Sequence, residues 1–130
     1  MQEHHPDATT ERPCPFCSGD AVQEHPRTRV LLDGYPVSEG HTLIVPRRHV
    51  ANLWELDEEE YLELFAVARR LATETPERPD GWNLGVNIGA AAGQTVWHVH
   101  LHLIPRRTGD TPDPRGGVRW VVPARARYWD

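Results

Sequence analysis

From residue 29 onward the chain alternates short apolar runs with turn-forming clusters, and the apolar period shifts from strand-like to helix-like and back. Arg29-Val30-Leu31-Leu32-Asp33 reads as a strand closed by the turn Asp33-Gly34-Tyr35-Pro36. Ser38-Glu39-Gly40 then introduces His41-Thr42-Leu43-Ile44-Val45-Pro46, a β-branched run that fits a second strand antiparallel to the first. Tyr61, Leu64, Phe65, Ala68, Leu71 and Ala72 recur at intervals of three and four, which predicts a helix over 58–74. Asp57 marks its N-cap, with Glu60 three residues on and acidic residues filling the first turn, where the helix dipole favours them. Pro76 to Gly81 interrupts the pattern. Trp82 to Ile88 then reads as a third strand, Gly89-Ala90-Ala91-Ala92-Gly93 as a turn, and Thr95 to Ile104 as a fourth strand. This order predicts an α+β domain with a mostly antiparallel sheet and one main helix.

Residues 1–12 are polar and are expected to be disordered or loosely packed, leaving 13–130 as a single domain that includes an arginine-rich C-terminal tail. The tail, Arg115-Gly116-Gly117-Val118-Arg119-Trp120-Val121-Val122-Pro123, fits a surface strand packing Trp120 on the core. Its arginines could instead pair with phosphate, or stack on a base, across a dimer. At 130 residues, 38% hydrophobic and 25% charged, the composition is that of one soluble core. The longest apolar runs, such as Leu64 to Ala68, are far short of the ~20 residues of a membrane helix, and Met1 to Pro13 carries no apolar signal region. A cytoplasmic location without membrane association is the expectation.

All 14 basic residues are arginine. The absence of lysine excludes a P-loop, a Schiff-base enzyme and a ligase that adenylylates its own lysine. A net charge of -5 argues against general nucleic-acid binding, since backbone affinity grows with the number of cationic contacts. Acidic residues crowd 55–63 while arginines enrich the C-terminal quarter, where a small anionic ligand could be met.

Two features carry chemistry. Cys14-Pro15-Phe16-Cys17 is too sparse for a disulfide framework, and its two-residue spacer suits a metal or a redox pair. In Trp97-His98-Val99-His100-Leu101-His102-Leu103-Ile104, strand alternation puts three imidazoles on one face and Val99, Leu101 and Leu103 on the other. Successive rings would then stand about 6–7 Å apart. Such a row either binds a metal or supplies a nucleophile and its supporting acid/base groups.

The segment Gln94-Thr95-Val96-Trp97-His98-Val99-His100-Leu101-His102-Leu103-Ile104 resembles the signature of the histidine triad superfamily. The resemblance covers about residues 14–107, with Asp33 eight residues before His41, the half-motif Gly40-His41-Thr42-Leu43-Ile44-Val45-Pro46, and Asn87 eleven residues before His98. It implies a histidine-triad fold and a nucleotidyl hydrolase or transferase acting at an α-phosphate. His100 would be the nucleophile, forming a nucleotidyl-imidazole, and His102 would donate to a phosphate oxygen. Gln94, Thr95 and Gly93 would hold the transferred phosphate and leaving group. By the same resemblance Asp33 would accept the ribose hydroxyls, Asn87 would contact the leaving-group side, His41 would support the site or line the nucleoside pocket, and Leu31 and Ile44 would flank the base. Relatives with an N-terminal Cys-x-x-Cys imply a closed structural zinc held by Cys14, Cys17, His49 and His98, which leaves His100 free. Gln-Thr before the triad and Pro105-Arg106-Arg107 after it look like the dinucleoside-hydrolase branch, with diadenosine tetraphosphate as first substrate. A phosphoramidase, a nucleotidyl transferase or phosphorylase, a non-catalytic zinc-stabilised nucleotide-binding module and a catalytic zinc hydrolase are the rival readings. A homodimer is implied too, with the 58–74 helix and the strand ending near Ile88 as interface elements.

Overall fold

A computed structural model describes residues 14–130, so the expectation for 1–12 lies outside the described residues. A short helical turn, α1 (Pro15–Ser18), leads into strands β1 (Gln23–Glu24), β2 (Thr28–Leu32) and β3 (Thr42–Pro46). The main helix α2 (Glu58–Glu74) follows, then β4 (Gly81–Val86), β5 (Leu101–Arg106) and a last short helix α3 (Pro123–Ala126). The strands form one antiparallel sheet in the order β1-β2-β3-β5-β4, an α+β architecture.

Each face of the sheet has its own cover. Val30, Ile44, Leu101 and Leu103 share a face by strand alternation and by register, and pack with Leu64, Val67 and Ala68 of α2. Leu31, Leu43 and Val45 point the other way, onto Cys14 and Phe16 of the N-terminal knuckle. With both faces covered, β2 and β3 read as near-continuous apolar runs, as observed in the sequence. Leu31 and Ile44 are therefore core residues on opposite faces, and cannot together flank a base as expected.

The helix begins where its cap predicts: the Asp57 side chain accepts from the Glu60 backbone while the Glu60 carboxylate accepts from the Asp57 backbone. Glu60 is buried, and its carboxylate is held below the usual range chiefly by a 2.7 Å hydrogen bond from Arg48. Glu63 ties the helix to β2 by accepting from the Thr28 hydroxyl at 2.6 Å.

Two expectations are corrected. The fourth strand was expected over Thr95 to Ile104, but ladder pairing begins only at Leu101, because the segment before it bonds elsewhere: the Val99 amide donates to the Val50 carbonyl at 2.8 Å. The tail is not a surface strand. It coils into a 3-10 turn (Gly117–Val121) and α3, with Arg119 donating to the Arg125 and Ala126 carbonyls and the Arg115 guanidinium 4.6 Å from the Trp129 ring. Gly116 permits the coil through a positive φ of 95°, and a Cβ there would meet the Trp120 and Trp129 rings at 3.3 Å. Trp120 donates to the Arg115 carbonyl instead of packing on the core.

Candidate active site and metal cluster

The sheet face that carries the knuckle also carries the histidines. Cys14, Cys17, His49 and His98 bring one ligand atom each to within 4.8 Å of one another. Within the group, Cys14 Sγ lies 3.3 Å from His98 Nδ1, Cys17 Sγ 3.3 Å from His49 Nδ1 and 3.4 Å from His98 Nδ1, and the two Nδ1 atoms are 3.2 Å apart. Tetrahedral zinc with these ligands has edges of about 3.3–3.8 Å, so a small expansion accommodates the ion. The ring of buried His98 is already oriented for it. Its Nε2–H donates to the Pro46 carbonyl at 2.7 Å, which leaves the Nδ1 lone pair facing the cluster. Two thiolates and two imidazoles suit zinc, and four protein donors leave no open position.

The same His98 places the next histidine. His100 Nδ1–H donates to the His98 carbonyl at 2.9 Å, so the Nε2 lone pair of His100 is available for attack. Phe16, in the middle of the knuckle, lies edge-on against both rings, with centroids 6.0 Å from His98 and 4.9 Å from His100. The His100 and His102 rings stand 5.0 Å apart, closer than the extended-strand estimate because His100 precedes the regular ladder. Burial lowers the His100 pKa, against opposing contributions from the His98 carbonyl and the Asp33 charge.

Around His102 lies a second cluster. His41 Nε2 is 2.9 Å from His102 Nδ1 and 3.3 Å from Asp33 Oδ2, and the Val37 amide donates to His41 Nδ1 at 3.0 Å. The other Asp33 oxygen accepts from the Tyr35 amide at 2.8 Å, so each oxygen keeps a lone pair for further donors. Burial, and then positive charge on His100 and His41, pushes the His102 pKa down to about 4. Burial likewise lowers His41, against the Asp33 charge. At neutral pH His41, His100 and His102 are therefore uncharged.

This sets a pH dependence with a definite sign. Because His102 titrates near 4 when folded and at 6.5 otherwise, only the unfolded chain gains that proton between these values. The stability contribution is constant above about pH 6.5 and declines as pH falls toward 4. An NMR titration is expected to find His102 neutral at pH 6 with a midpoint near 4; a midpoint at the ordinary 6.5 contradicts the burial argument.

The loop before the triad holds the remaining expected residues. Gly89 and Gly93 both take φ of 94°, which favours glycine at each end of the turn. Buried Gln94 accepts from the Gly89 amide at 2.8 Å and donates to the Ala51 and Val96 carbonyls, so its amide clamps this loop. Thr95 and Gly93 are exposed beside it, and Asn87 is half-buried just past β4. The structure thus brings together Asp33, His41, His100 and His102, and separately the four metal-type ligands.

Sequence reasoning missed Phe16, Arg29 and the Val37 amide. Buried Arg29 donates to the Phe16 carbonyl at 2.6 Å and to the Gly19 carbonyl, fastening the knuckle to β2. Its one legible signal was an arginine opening an otherwise apolar strand.

Comparison with known proteins bears on this site. The HIT domain family matches residues 17–109, and the chain belongs to the HIT family. An uncharacterized HIT-like protein of Mycobacterium tuberculosis is 36% identical over 107 residues, covering 75% of this chain and 74% of the relative. A crystal structure of a Zn-bound histidine triad family protein from Mycobacterium smegmatis is 36% identical with a TM-score of 0.63, covering 82% of this chain and 83% of that one. An AP-4-A phosphorylase of Mycobacterium tuberculosis is 37% identical over 83 residues, 62% of this chain but only 43% of that protein.

Proposed function

We propose that this protein is a nucleotidyl hydrolase that cleaves a dinucleoside polyphosphate of the diadenosine tetraphosphate type at its α-phosphate, through a nucleotidyl-His100 intermediate. The observation that carries the reading is the hydrogen bond from His100 Nδ1 to the His98 carbonyl, which leaves a neutral, buried Nε2 as nucleophile beside His102. In the first step a bond forms between Nε2 and the α-phosphorus, and the bond from phosphorus to the bridging oxygen breaks. The departing nucleotide leaves as a polyphosphate anion. His100 is then an imidazolium whose Nδ1–H still points at the His98 carbonyl, and the Asp33 carboxylate favours that positive charge. His102 donates a hydrogen bond to a phosphate oxygen, Asp33 accepts from the ribose hydroxyls, and the Gly93-Gln94-Thr95 turn positions the phosphate with Asn87 on the leaving-group side. Water then attacks the phosphorus, releases His100 Nε2 and yields a nucleoside monophosphate.

Zinc in this reading is structural, held by Cys14, Cys17, His49 and His98. It would fix His98, whose backbone orients the nucleophile. A relative named for phosphorylase activity supports a second reading, in which inorganic phosphate replaces water as acceptor. The protein would act as a homodimer. Among the described elements β4 is a sheet edge, and Leu84 on it, with Tyr61 and Leu62 of α2, is exposed. No helix among the described residues is long and apolar enough to cross a membrane.

Brief mixing with diadenosine tetraphosphate followed by mass spectrometry is the direct test. An adenylyl adduct on the peptide containing His100 is expected, and inorganic phosphate present during the reaction would shift product from monophosphate to diphosphate if the enzyme is a phosphorylase. An adduct elsewhere overturns His100 as the nucleophile, and turnover without any adduct overturns the covalent mechanism.

A further inference from the structure

Asp33 Oδ2, His41 Nε2 and His102 Nδ1 converge with separations of 3.3, 2.9 and 3.9 Å, which are also distances that ligands of one divalent ion could take. The backbone decides between a metal and a proton. His41 Nδ1 accepts the Val37 N–H at 3.0 Å, so its lone pair is occupied by that donor and the ring proton must reside on Nε2. An imidazole that carries its proton toward the cluster offers no lone pair to an ion there. It offers a donor.

That donor determines the state of the next ring. His102 Nδ1 stands 2.9 Å from His41 Nε2, and two N–H groups cannot face each other at this distance, so His102 Nδ1 must be the acceptor. A neutral His102 then carries its own proton on Nε2. We propose that His41 is a positioning residue: the Val37 amide fixes the tautomer of His41, and His41 in turn fixes the tautomer of His102, so that His102 presents Nε2–H to substrate. The inference rests on the hydrolase reading only for what that Nε2–H touches, a phosphate oxygen.

The arrangement is built rather than incidental. His41 is buried, and its backbone is fixed on both sides, with the Asp33 amide donating to its carbonyl at 3.1 Å and its own amide donating to the Ser38 carbonyl at 3.1 Å. Ser38 donates its hydroxyl to the Pro105 carbonyl at 2.5 Å, which joins the 33–41 loop to β5, the strand that carries His102. Asp33 Oδ2 also lies within reach of the shared His41 proton at 3.3 Å, so the carboxylate assists the orientation of that proton. The same geometry gives the relay a direction. Each ring accepts on Nδ1 and donates on Nε2, and the first donor is a peptide amide that cannot rotate or change protonation. A flipped His102 ring, with Nδ1–H toward substrate, would lose this bond.

The test is nitrogen NMR of the imidazoles in the substrate-free, zinc-loaded protein at pH 7.5. His41 and His102 are expected to show protons on Nε2 and bare Nδ1 atoms. A proton on His102 Nδ1 in the wild-type protein overturns the inference whatever the variants do. In His41→Phe, which removes both ring nitrogens, His102 is expected to show a mixture of tautomers and kcat to fall about 10²-fold with KM little changed. His41→Gln, whose side chain can accept from Val37 and donate to His102, is expected to restore the single tautomer and recover most of kcat. An unchanged His102 tautomer in His41→Phe, or a second bound metal equivalent that shifts both rings, would overturn the relay. Failure of the hydrolase reading would appear differently, as the absence of an adduct on His100 with the tautomers intact.

Discussion

His100→Gly is expected to lower turnover of a dinucleoside polyphosphate by at least about 10⁴-fold while leaving nucleotide affinity within a few-fold of wild type. The magnitude follows from what the ring supplies. Its Nε2 lone pair is freed by a backbone acceptor on the opposite nitrogen, through the 2.9 Å bond to the His98 carbonyl. The neighbours cannot substitute. His98 directs its Nδ1 into the cysteine cluster and its Nε2–H to Pro46, and His102 accepts on Nδ1 from His41. Glycine also opens a space beside Phe16, so added imidazole can enter and restore part of the activity. Equilibrium binding of a non-hydrolysable analogue, with turnover measured alongside, separates chemistry from affinity. A variant that keeps wild-type turnover would remove His100 from the mechanism. A variant that loses binding and turnover together would instead favour a site organised by packing of the ring.

The contrast between what could and could not be read in advance is physical. The helix over 58–74 was legible because one local device, the Asp57–Glu60 capping box, coincides with the start of a three-and-four apolar repeat. The first pair of strands was legible through short apolar, β-branched runs bounded by turn residues. The fourth strand was misjudged at its start because apolar alternation continues through Val99 although its backbone pairs with Val50, a partner distant in sequence. The tail misled in a similar way. Val118, Val121 and Val122 suggest a strand, but Gly116 and the arginine contacts to nearby carbonyls and rings turn the chain into a coil. The candidate metal group Cys14, Cys17, His49 and His98 came from family resemblance, and the structure places one ligand-type atom of each within 4.8 Å of the others. The roles of Phe16, Arg29 and the Val37 amide were not legible, although an arginine opening an apolar strand is an unusual residue there, because each acts through contacts that no local spacing encodes: an edge against a ring, two donations to carbonyls, one amide on one nitrogen.

Those hidden contacts determine what loss of the metal would do. Cys14→Ser with Cys17→Ser is expected to abolish binding of one zinc equivalent and to cost roughly 3–5 kcal/mol, or about 10–20 °C in Tm for a chain of this size. The cost is smaller than in a zinc finger, where the metal supplies nearly all the folding energy, because the core between the sheet and α2 contains none of the four ligands. It is larger than for two exposed thiols, because Cys14 packs with Phe16, Leu31, Leu43 and Val45 on the opposite face, and the knuckle is otherwise fastened mainly through Arg29. Chemistry should suffer second. Without the ion His98 keeps its bond to Pro46, so its carbonyl still meets His100, and turnover well below the new Tm is expected to remain within about tenfold of wild type. Metal analysis, thermal melts with and without chelator, and turnover at low temperature measure the three quantities. Unchanged zinc content in the double variant would refute the ligand set, and abolished turnover in a folded, zinc-free protein would make the metal catalytic.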